Sequence, residues 1–158
     1  MLNSRGELIG VNTAIRQGAE GIGFAVPAEV VQRVVPVLIA TGRYPHPWLG
    51  LLGYTITPAL AQALELPVEQ GILIAQLYQE GPAVKAGLRG ATQEAILGYQ
   101  RLLIGGDILT AINGVPLVDW NRLQEYLQTQ TAVGDVVELT LMRDGQIFTQ
   151  SVTLEAQP

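Results

Sequence analysis

The stretch from Trp48 to Tyr54 has the composition of a turn that presents backbone N–H groups to an anion. It reads Trp-Leu-Gly-Leu-Leu-Gly-Tyr, with Gly50 between two leucines. If the chain turns at Leu49 and Gly50 just before a strand, the N–H groups of Leu49, Gly50 and Leu51 converge on one point and can hold a carboxylate. A glycine in an apolar strand is also typical of a bulge or of a close backbone approach. Both interpretations are open from these residues alone.

Nucleophilic catalysis is not predicted from the side chains. The chain contains two serines, Ser4 and Ser151, and one histidine, His46. A serine nucleophile needs a histidine base and an orienting carboxylate in mutual contact. His46 lies between two prolines, so we interpret it as a solvated loop residue. Because the chain has no cysteine, it has no disulfide and no thiolate metal site. We expect no catalytic residue, no metal and no cofactor.

Composition and charge favour a folded chain that does not bind nucleic acid. Hydrophobic residues make up 48% of the 158 residues, and the mean hydropathy is +0.28. The net charge is −5, and the nine Lys and Arg residues are scattered, so no basic patch is available for a phosphate backbone. The longest apolar run, Val34–Ala40, is far shorter than the roughly 20 residues of a membrane-spanning helix. We expect no membrane insertion and no targeting segment in this chain.

The elements before the anion-binding turn are predicted to be a β-hairpin and a helix. Branched apolar residues indicate strands at Glu7–Ile15 and at Gly21–Val26, with a turn at Gly18 between them. Pro27 suits the first position of a helix. Apolar residues then recur at helical spacing, and Gly42 can end the helix in a left-handed conformation.

The elements after the turn predict a mainly β fold with short helices, of the α+β class. Thr57 and Asp119 are expected to cap two helices, the second running to about Gln130. An inserted hairpin with Gly98 at its centre is expected at about 91–104. The predicted architecture is a small, partly open β-barrel with a helix across a groove. Its strands are Leu51–Ile56, Gly71–Tyr78, Asp107–Ile112, Val136–Met142 and Gln146–Leu154.

Four phrases in the chain resemble, in their order and spacing, the HtrA/Deg family of envelope serine proteases. They are Gly6-Glu7-Leu8-Ile9-Gly10-Val11-Asn12-Thr13, Gly21-Ile22-Gly23-Phe24-Ala25-Val26-Pro27, Gly81-Pro82-Ala83 with Ala86-Gly87-Leu88, and Gly106-Asp107-Ile108 with Ile112-Asn113-Gly114. The resemblance implies that residues 1–42 are the last strands and closing helix of a truncated trypsin-like protease domain, which is a chymotrypsin-like barrel. Residues 43–47 would be a linker, and residues 48–158 a PDZ domain.

The chain departs from the family pattern at two places. The family's nucleophile lies in a Gly-Asn-Ser-Gly-Gly phrase immediately before the segment that corresponds to Leu2-Asn3, and this phrase is absent. The parent family consists of serine endopeptidases, but this chain lacks the catalytic triad and is expected to be inactive alone. Many PDZ domains also have a basic side chain just before the carboxylate loop. Here His46-Pro47 precedes the loop and Arg43 lies further back, which puts charge assistance in doubt.

The resemblance implies a peptide-binding groove between the strand Leu51–Ile56 and the helix that begins at Asp119. An extended peptide would add to the strand edge while its alternate side chains enter pockets. Leu123 is expected in the core, whereas core and groove positions are both open for Trp120, Gln124 and Leu127. The aliphatic pocket walls imply a hydrophobic C-terminal residue on the ligand. The predicted peptide-binding residues are Trp48, Leu49, Gly50, Leu51, Leu52, Gly53, Trp120, Gln124, Leu127 and Gln128.

The function implied is that of a PDZ peptide-binding and regulatory module of an envelope serine endopeptidase in protein quality control. Its partners would be hydrophobic C-termini or exposed apolar segments of unfolded proteins, its own missing protease domain, and another copy of the chain in a homo-oligomer. Alternatively, the chain is an incomplete copy of the endopeptidase, or a scaffold whose groove is filled by its own linker or by a neighbouring chain. The parent protein is expected in the cell envelope, in a periplasmic or extracytoplasmic compartment.

Overall fold

A computed structural model describes residues 1–15 and 23–158. The chain divides into two compact units, Met1–Tyr44 and Pro45–Pro158, called unit 1 and unit 2 below. The expected turn at Gly18 and the start of the strand expected at Gly21–Val26 lie outside the described residues.

Unit 1 contains a two-stranded antiparallel sheet and one helix. Strand β1 (Gly10–Ile15) pairs with β2 (Gly23–Pro27), and helix α1 covers Ala28–Thr41. The predicted first strand starts three residues too early, because Leu8 makes only an isolated bridge, to Leu2. Pro27 precedes the helix instead of starting it, since its ψ of 147° is extended and it still pairs in β2. Gly42 ends α1 with a φ of 72°, as predicted.

Unit 2 is built around one antiparallel sheet in the order β11-β10-β8-β5-β4, with the short β9 paired to β8. Two smaller ladders join β3 to β12 and β6 to β7. The strands are β3 (Pro47–Trp48), β4 (Leu51–Thr55), β5 (Ile72–Leu77), β6 (Gln93–Leu97), β7 (Gln100–Ile104), β8 (Ile108–Ile112), β9 (Val115–Pro116), β10 (Val136–Arg143), β11 (Gln146–Thr153) and β12 (Glu155–Ala156). The helices are α2 (Pro58–Ala63), α3 (Pro82–Lys85) and α4 (Trp120–Gln130).

The main sheet of unit 2 does not close into a barrel. Within the described residues, β4 and β11 lie at opposite ends of the strand order. The predicted mainly β fold with short helices is confirmed, and the predicted partly open barrel does not close. One edge of β4 has no strand partner among the described residues. An edge of this kind presents alternate N–H and C=O groups to any further strand.

Apolar side chains cover both faces of this sheet, because its central strands alternate between two cores. The first core lies on the side of α3 and α4 and includes Leu109, Leu123 and Leu139, each 0% exposed. The second core lies on the side of α2 and is formed by Ile56, Ala61, Leu73, Ile108 and Met142. Burial on both faces explains why β5 is an almost unbroken apolar run.

Local sequence signals place the helix starts and hairpin turns. The Thr57 hydroxyl accepts a hydrogen bond from the Leu60 amide at 3.2 Å, and the Asp119 carboxylate accepts one from the Arg122 amide at 2.7 Å. These are the two predicted caps. The inserted hairpin is formed by β6 and β7, which pair from Gln93 opposite Ile104 to Leu97 opposite Gln100.

Candidate functional site

The turn between β3 and β4 is fixed by hydrogen bonds to its carbonyl groups. The Leu49 carbonyl accepts from the Ala83 amide, and the Gly50 carbonyl accepts from the Tyr78 amide, both at 2.9 Å. Gly50 has a φ of +74°, a conformation that favours glycine. A Cβ at this position would lie 3.1 Å from Cδ of Pro82. Of the two interpretations of this glycine, the close backbone approach is therefore present in the structure.

The amides of the same turn are not used in hydrogen bonds among the described residues. In the part of the chain that the structure describes, the amides of Leu49 and Gly50 donate to no other protein group. The bonded Gly50 carbonyl faces β5, and groups on successive strand residues alternate in direction. The Leu51 amide therefore points away from β5, towards the free edge of β4. Three consecutive amides of this kind can form an anion-binding nest.

The aliphatic side chains around the turn belong to the first core. Leu49, Leu51 and Leu127 are 2%, 3% and 3% exposed and lie in one cluster with Leu123. Leu127, for which core and groove were both open, is therefore a core residue in this conformation. These side chains expose almost no surface here, so an aliphatic ligand group would reach them only if they move apart.

Three more of the predicted site residues, Trp120, Gln124 and Gln128, lie on α4. The Trp120 amide donates to the Thr55 hydroxyl at 3.0 Å, which fixes the start of α4 against the end of β4. Trp120 and Gln124 are half-buried and Gln128 is exposed. These three positions are spaced by four residues and so share one helix face.

The remaining predicted residues serve different purposes. Trp48 packs edge-on against Tyr78, with ring centroids 4.9 Å apart. Pro47, expected in the linker, belongs with Trp48 to β3. Leu52 is 42% exposed. A Cβ at Gly53 would lie 2.6 Å from the Leu73 carbonyl oxygen, so the missing side chain there permits close pairing of β4 with β5.

A cleft beside β4 brings in residues that the sequence interpretation missed. It has a volume of about 430 Å³ and combines Trp120 with residues of α2 and of the inserted hairpin. The hairpin was recognisable from the two apolar runs on either side of Gly98. The sequence did not indicate that Gln100 and Leu102 of this hairpin lie in a cleft beside β4. The missed lining residues are Tyr54, Thr55, Thr57, Leu60, Gln100 and Leu102.

A larger cavity of about 750 Å³ lies beyond the end of β4 and contains none of the predicted site residues. Its lining includes three threonines and two acidic residues, Glu69 and Asp119, beside apolar residues such as Ile56, Val68 and Leu117. The Asp119 carboxylate is already occupied as the cap of α4.

Residues 1–15 and 23–158 contain neither a metal-binding cluster nor a membrane-spanning helix. No cluster of three or more His, Asp or Glu side chains is arranged as metal ligands would be. No described helix is long and apolar enough to cross a membrane. The backbone carbonyl of His46 accepts a hydrogen bond from the Gln157 amide at 2.9 Å.

Comparison with protein families gives a match to the PDZ domain over residues 50–154. The chain is 36% identical over 161 residues to "Protease Do-like 1, chloroplastic" of Arabidopsis thaliana, covering 100% of this chain and 34% of that protein. It is 34% identical over 151 residues to "Putative serine protease HhoA" of Synechocystis sp., covering 90% and 34%. It is 33% identical over 158 residues to "Periplasmic pH-dependent serine endoprotease DegQ" of Escherichia coli, covering 98% and 31%. The chain thus spans about a third of the length of these relatives.

Solved structures include two similar proteins with bound peptides. One is the HtrA-type protease AlgW with a decapeptide, with a TM-score of 0.73 and 29% identity over 97% of this chain and 43% of that chain. The other is the HtrA3 PDZ domain bound to the phage-derived ligand FGRWV, with a TM-score of 0.55 and 25% identity. That match covers 72% of this chain and 89% of the HtrA3 chain.

Proposed function

Because the chain belongs to the PDZ domain family and is homologous to HtrA and Deg serine proteases, we propose that unit 2 binds peptides through their free C-terminal carboxylate. The carboxylate is held by the amides of Leu49, Gly50 and Leu51. The observation that carries this proposal is that the first two of these amides have no acceptor among residues 1–15 and 23–158, although both residues are buried. Buried N–H groups are almost always paired, so an unpaired pair at a strand start calls for an external acceptor.

The bound peptide extends the main sheet at its free edge. With its carboxylate at the start of β4, the peptide runs antiparallel to β4 and exchanges main-chain hydrogen bonds with it. Its C-terminal side chain lies beside Leu49, Leu51 and Leu127, which are all aliphatic, so a hydrophobic C-terminal residue is favoured. Trp120, Gln124 and Gln128 form the facing side of the groove, while Trp48, Leu52 and Gly53 position its strand.

In the full-length protein this module regulates an envelope serine endopeptidase that acts in protein quality control. It recognises hydrophobic C-termini or exposed apolar segments of unfolded proteins. The names of the relatives support this role, since DegQ is a periplasmic endoprotease. Residues 1–42 are then the end of the protease domain, and the rest of that domain is a partner. The chain itself has no nucleophile phrase and does not hydrolyse peptide bonds.

Self-association is a second candidate role, favoured by the apolar surface of unit 1. Phe24 is 58% exposed and Ile39 is 81% exposed. Exposed apolar surface and unpaired strand edges promote association. Sedimentation at rising concentration tests this role, and a monomer at every concentration contradicts it.

The peptide-binding function is tested with one labelled hexapeptide ending in valine, made as the free acid and as the C-terminal amide. We expect saturable binding of the free acid by fluorescence anisotropy. Amidation removes charge-assisted hydrogen bonds and is expected to weaken binding at least roughly tenfold. Equal binding of the two forms would mean that the turn does not hold a carboxylate.

A further inference from the structure

The groove along the edge strand β4 has two walls, one formed by α4 and a second on the opposite side of the strand. The cleft of about 430 Å³ along β4 is bounded by Trp120 on one side and by Leu60, Gln100 and Leu102 on the other. We propose that this second wall, called the hairpin wall, binds one apolar side chain of the peptide at a fixed distance from its C-terminus. The inserted hairpin thereby sets a sequence preference. This inference rests on the proposed peptide-binding function.

The hairpin wall is held in place by contacts at the base of the hairpin. The Leu103 amide donates to the Tyr54 hydroxyl at 3.4 Å, which ties β7 to β4. The Thr92 amide donates to the Ile104 carbonyl at 2.9 Å, and the Ile104 side chain packs against the second core. Leu102, between these anchors and the hairpin tip, therefore has a defined position beside β4.

Successive side chains of β4 point alternately towards α4 and towards the hairpin wall. Leu51 lies in the first core and the Thr55 hydroxyl bonds to the start of α4, so odd-numbered positions face α4. Tyr54 packs against the second core and lines the cleft, so even-numbered positions face the hairpin wall. The register shift in this ladder falls on β5, where Ala75 is skipped, so the alternation along β4 is uninterrupted.

An antiparallel peptide inherits the same alternation. We number its residues 0, −1, −2 and −3 back from the C-terminus. With residue 0 beside Leu51, residue −2 lies beside Gly53 and residue −3 lies beside Tyr54. Successive side chains of a strand point to opposite faces, so residues 0 and −2 face α4, while −1 and −3 face the hairpin wall. Residue −3 is the one that enters the cleft at Leu102.

The chemistry of the hairpin wall selects an apolar or aromatic side chain. Leu60 and Leu102 are aliphatic, Gln100 provides one amide, and Tyr54 provides an aromatic ring. The residues that line the cleft include no charged side chain. A charged group at −3 would lose hydration without gaining an opposite charge, whereas an aromatic ring would bury apolar area.

The test uses fluorescein-labelled free-acid peptides Ser-Gly-Phe-Thr-Gly-Val and Ser-Gly-Ala-Thr-Gly-Val, which differ only at −3. The wild-type chain should bind the Phe peptide roughly fivefold to tenfold more tightly. Leu102→Ala and Leu60→Ala should each reduce this ratio towards one and leave affinity for the Ala peptide nearly unchanged. Ile96→Ala is the matched control, because Ile96 is on the same hairpin but is 75% exposed and does not line the cleft.

Each result separates the two proposals. If both peptides bind as free acids with equal affinity, the hairpin wall is not a subsite and the carboxylate site stands. If the Phe preference survives in both Leu102→Ala and Leu60→Ala, the preference comes from elsewhere and the inference is overturned. If neither free-acid peptide binds, the proposed function fails and this inference fails with it. Thermal unfolding of each variant checks that the fold is retained.

Discussion

The buried carboxylate of Asp107 is paired with the guanidinium of Arg143 through two hydrogen bonds, each 2.7 Å long. Asp107 is 1% exposed and also accepts from the Arg89 amide at 2.8 Å. The guanidinium also lies over the Phe148 ring, with its Cζ atom 4.9 Å from the ring centroid. The pair joins β10 to the loop before β8, and the loop in turn connects to the inserted hairpin.

Loss of this pair is expected to destabilise unit 2 strongly. Arg143→Met removes the partner of a buried charge, and such changes cost about 3 kcal/mol of unfolding free energy. Urea unfolding measures the loss. The control is Arg122→Met, which removes an exposed pair with Glu125 and is expected to cost less than about 1 kcal/mol. Equal losses in the two variants would contradict a structural role for the buried pair.

The stabilisation by Arg143 should not vary across ordinary pH. The hydrogen bonds that Arg143 donates to the Asp107 carboxylate raise the pKa of Arg143 above its usual value. A raised pKa on a base means that its contribution is fully present below the unfolded pKa and is lost only when pH rises through the folded pKa. The difference in unfolding free energy between wild type and Arg143→Met should therefore stay constant from neutral to moderately alkaline pH.

Gly50 should be more sensitive to a Cβ than another glycine with a similar backbone. Gly50→Ala combines a φ of +74° with a Cβ only 3.1 Å from Pro82, whereas Gly98 has a φ of +60° and nothing within 4 Å. We expect about 1 kcal/mol of backbone strain in both variants and an additional loss only in Gly50→Ala. Chemical denaturation of the two variants gives the comparison. A larger loss in Gly98→Ala would show that the contact with Pro82 is easily relieved.

The inserted hairpin should contribute to stability at its base and not at its tip. Ile104 packs against the second core, while Ile96 is 75% exposed. Ile104→Ala is expected to lower the unfolding free energy by about 2 kcal/mol, and Ile96→Ala by less than about 0.5 kcal/mol. Differential scanning calorimetry distinguishes them. If Ile96→Ala is as costly as Ile104→Ala, the hairpin tip has a packing partner.

Peptide addition to β4 predicts an alternating response to backbone methylation of the ligand. Methylating a peptide amide that points at β4 removes a ladder hydrogen bond and is expected to weaken binding at least roughly tenfold. Methylating the next amide, which points away, should have a much smaller effect. Anisotropy titration of a series of singly methylated peptides gives the pattern. A uniform loss along the series would contradict strand addition.

Features set by neighbouring residues were predictable from the sequence. The turns at Asn113-Gly114 and Asp144-Gly145 have positive φ at both residues, as this turn chemistry requires. The caps at Thr57 and Asp119 depend on residues three positions away. Each of these signals is complete within a few residues of the chain.

Features that depend on distant pairings were not predictable in the same way. No local pattern links Asp107 to Arg143, Trp48 to Tyr78 or Leu103 to Tyr54, because each contact forms only when separate elements pack together. Gly53 is a further residue whose role depends on a distant pairing. It was predicted as a peptide-binding residue, but its position against the Leu73 carbonyl depends on the register of β4 with β5.

The pairing of β3 with β12 gives unit 2 a mechanical property. Pro47 lies opposite Ala156, and the Gln157 amide bonds to the His46 carbonyl, so the chain enters and leaves the unit at neighbouring points. Opposite forces on the chain before Pro47 and after Ala156 would break the hydrogen bonds of this short antiparallel ladder one after another. They would not load all of these bonds at once. Trp48 and the amides of Leu49 and Gly50 follow directly behind. Tension along the polypeptide would therefore reach the turn at Leu49 and Gly50 before it loads the main sheet.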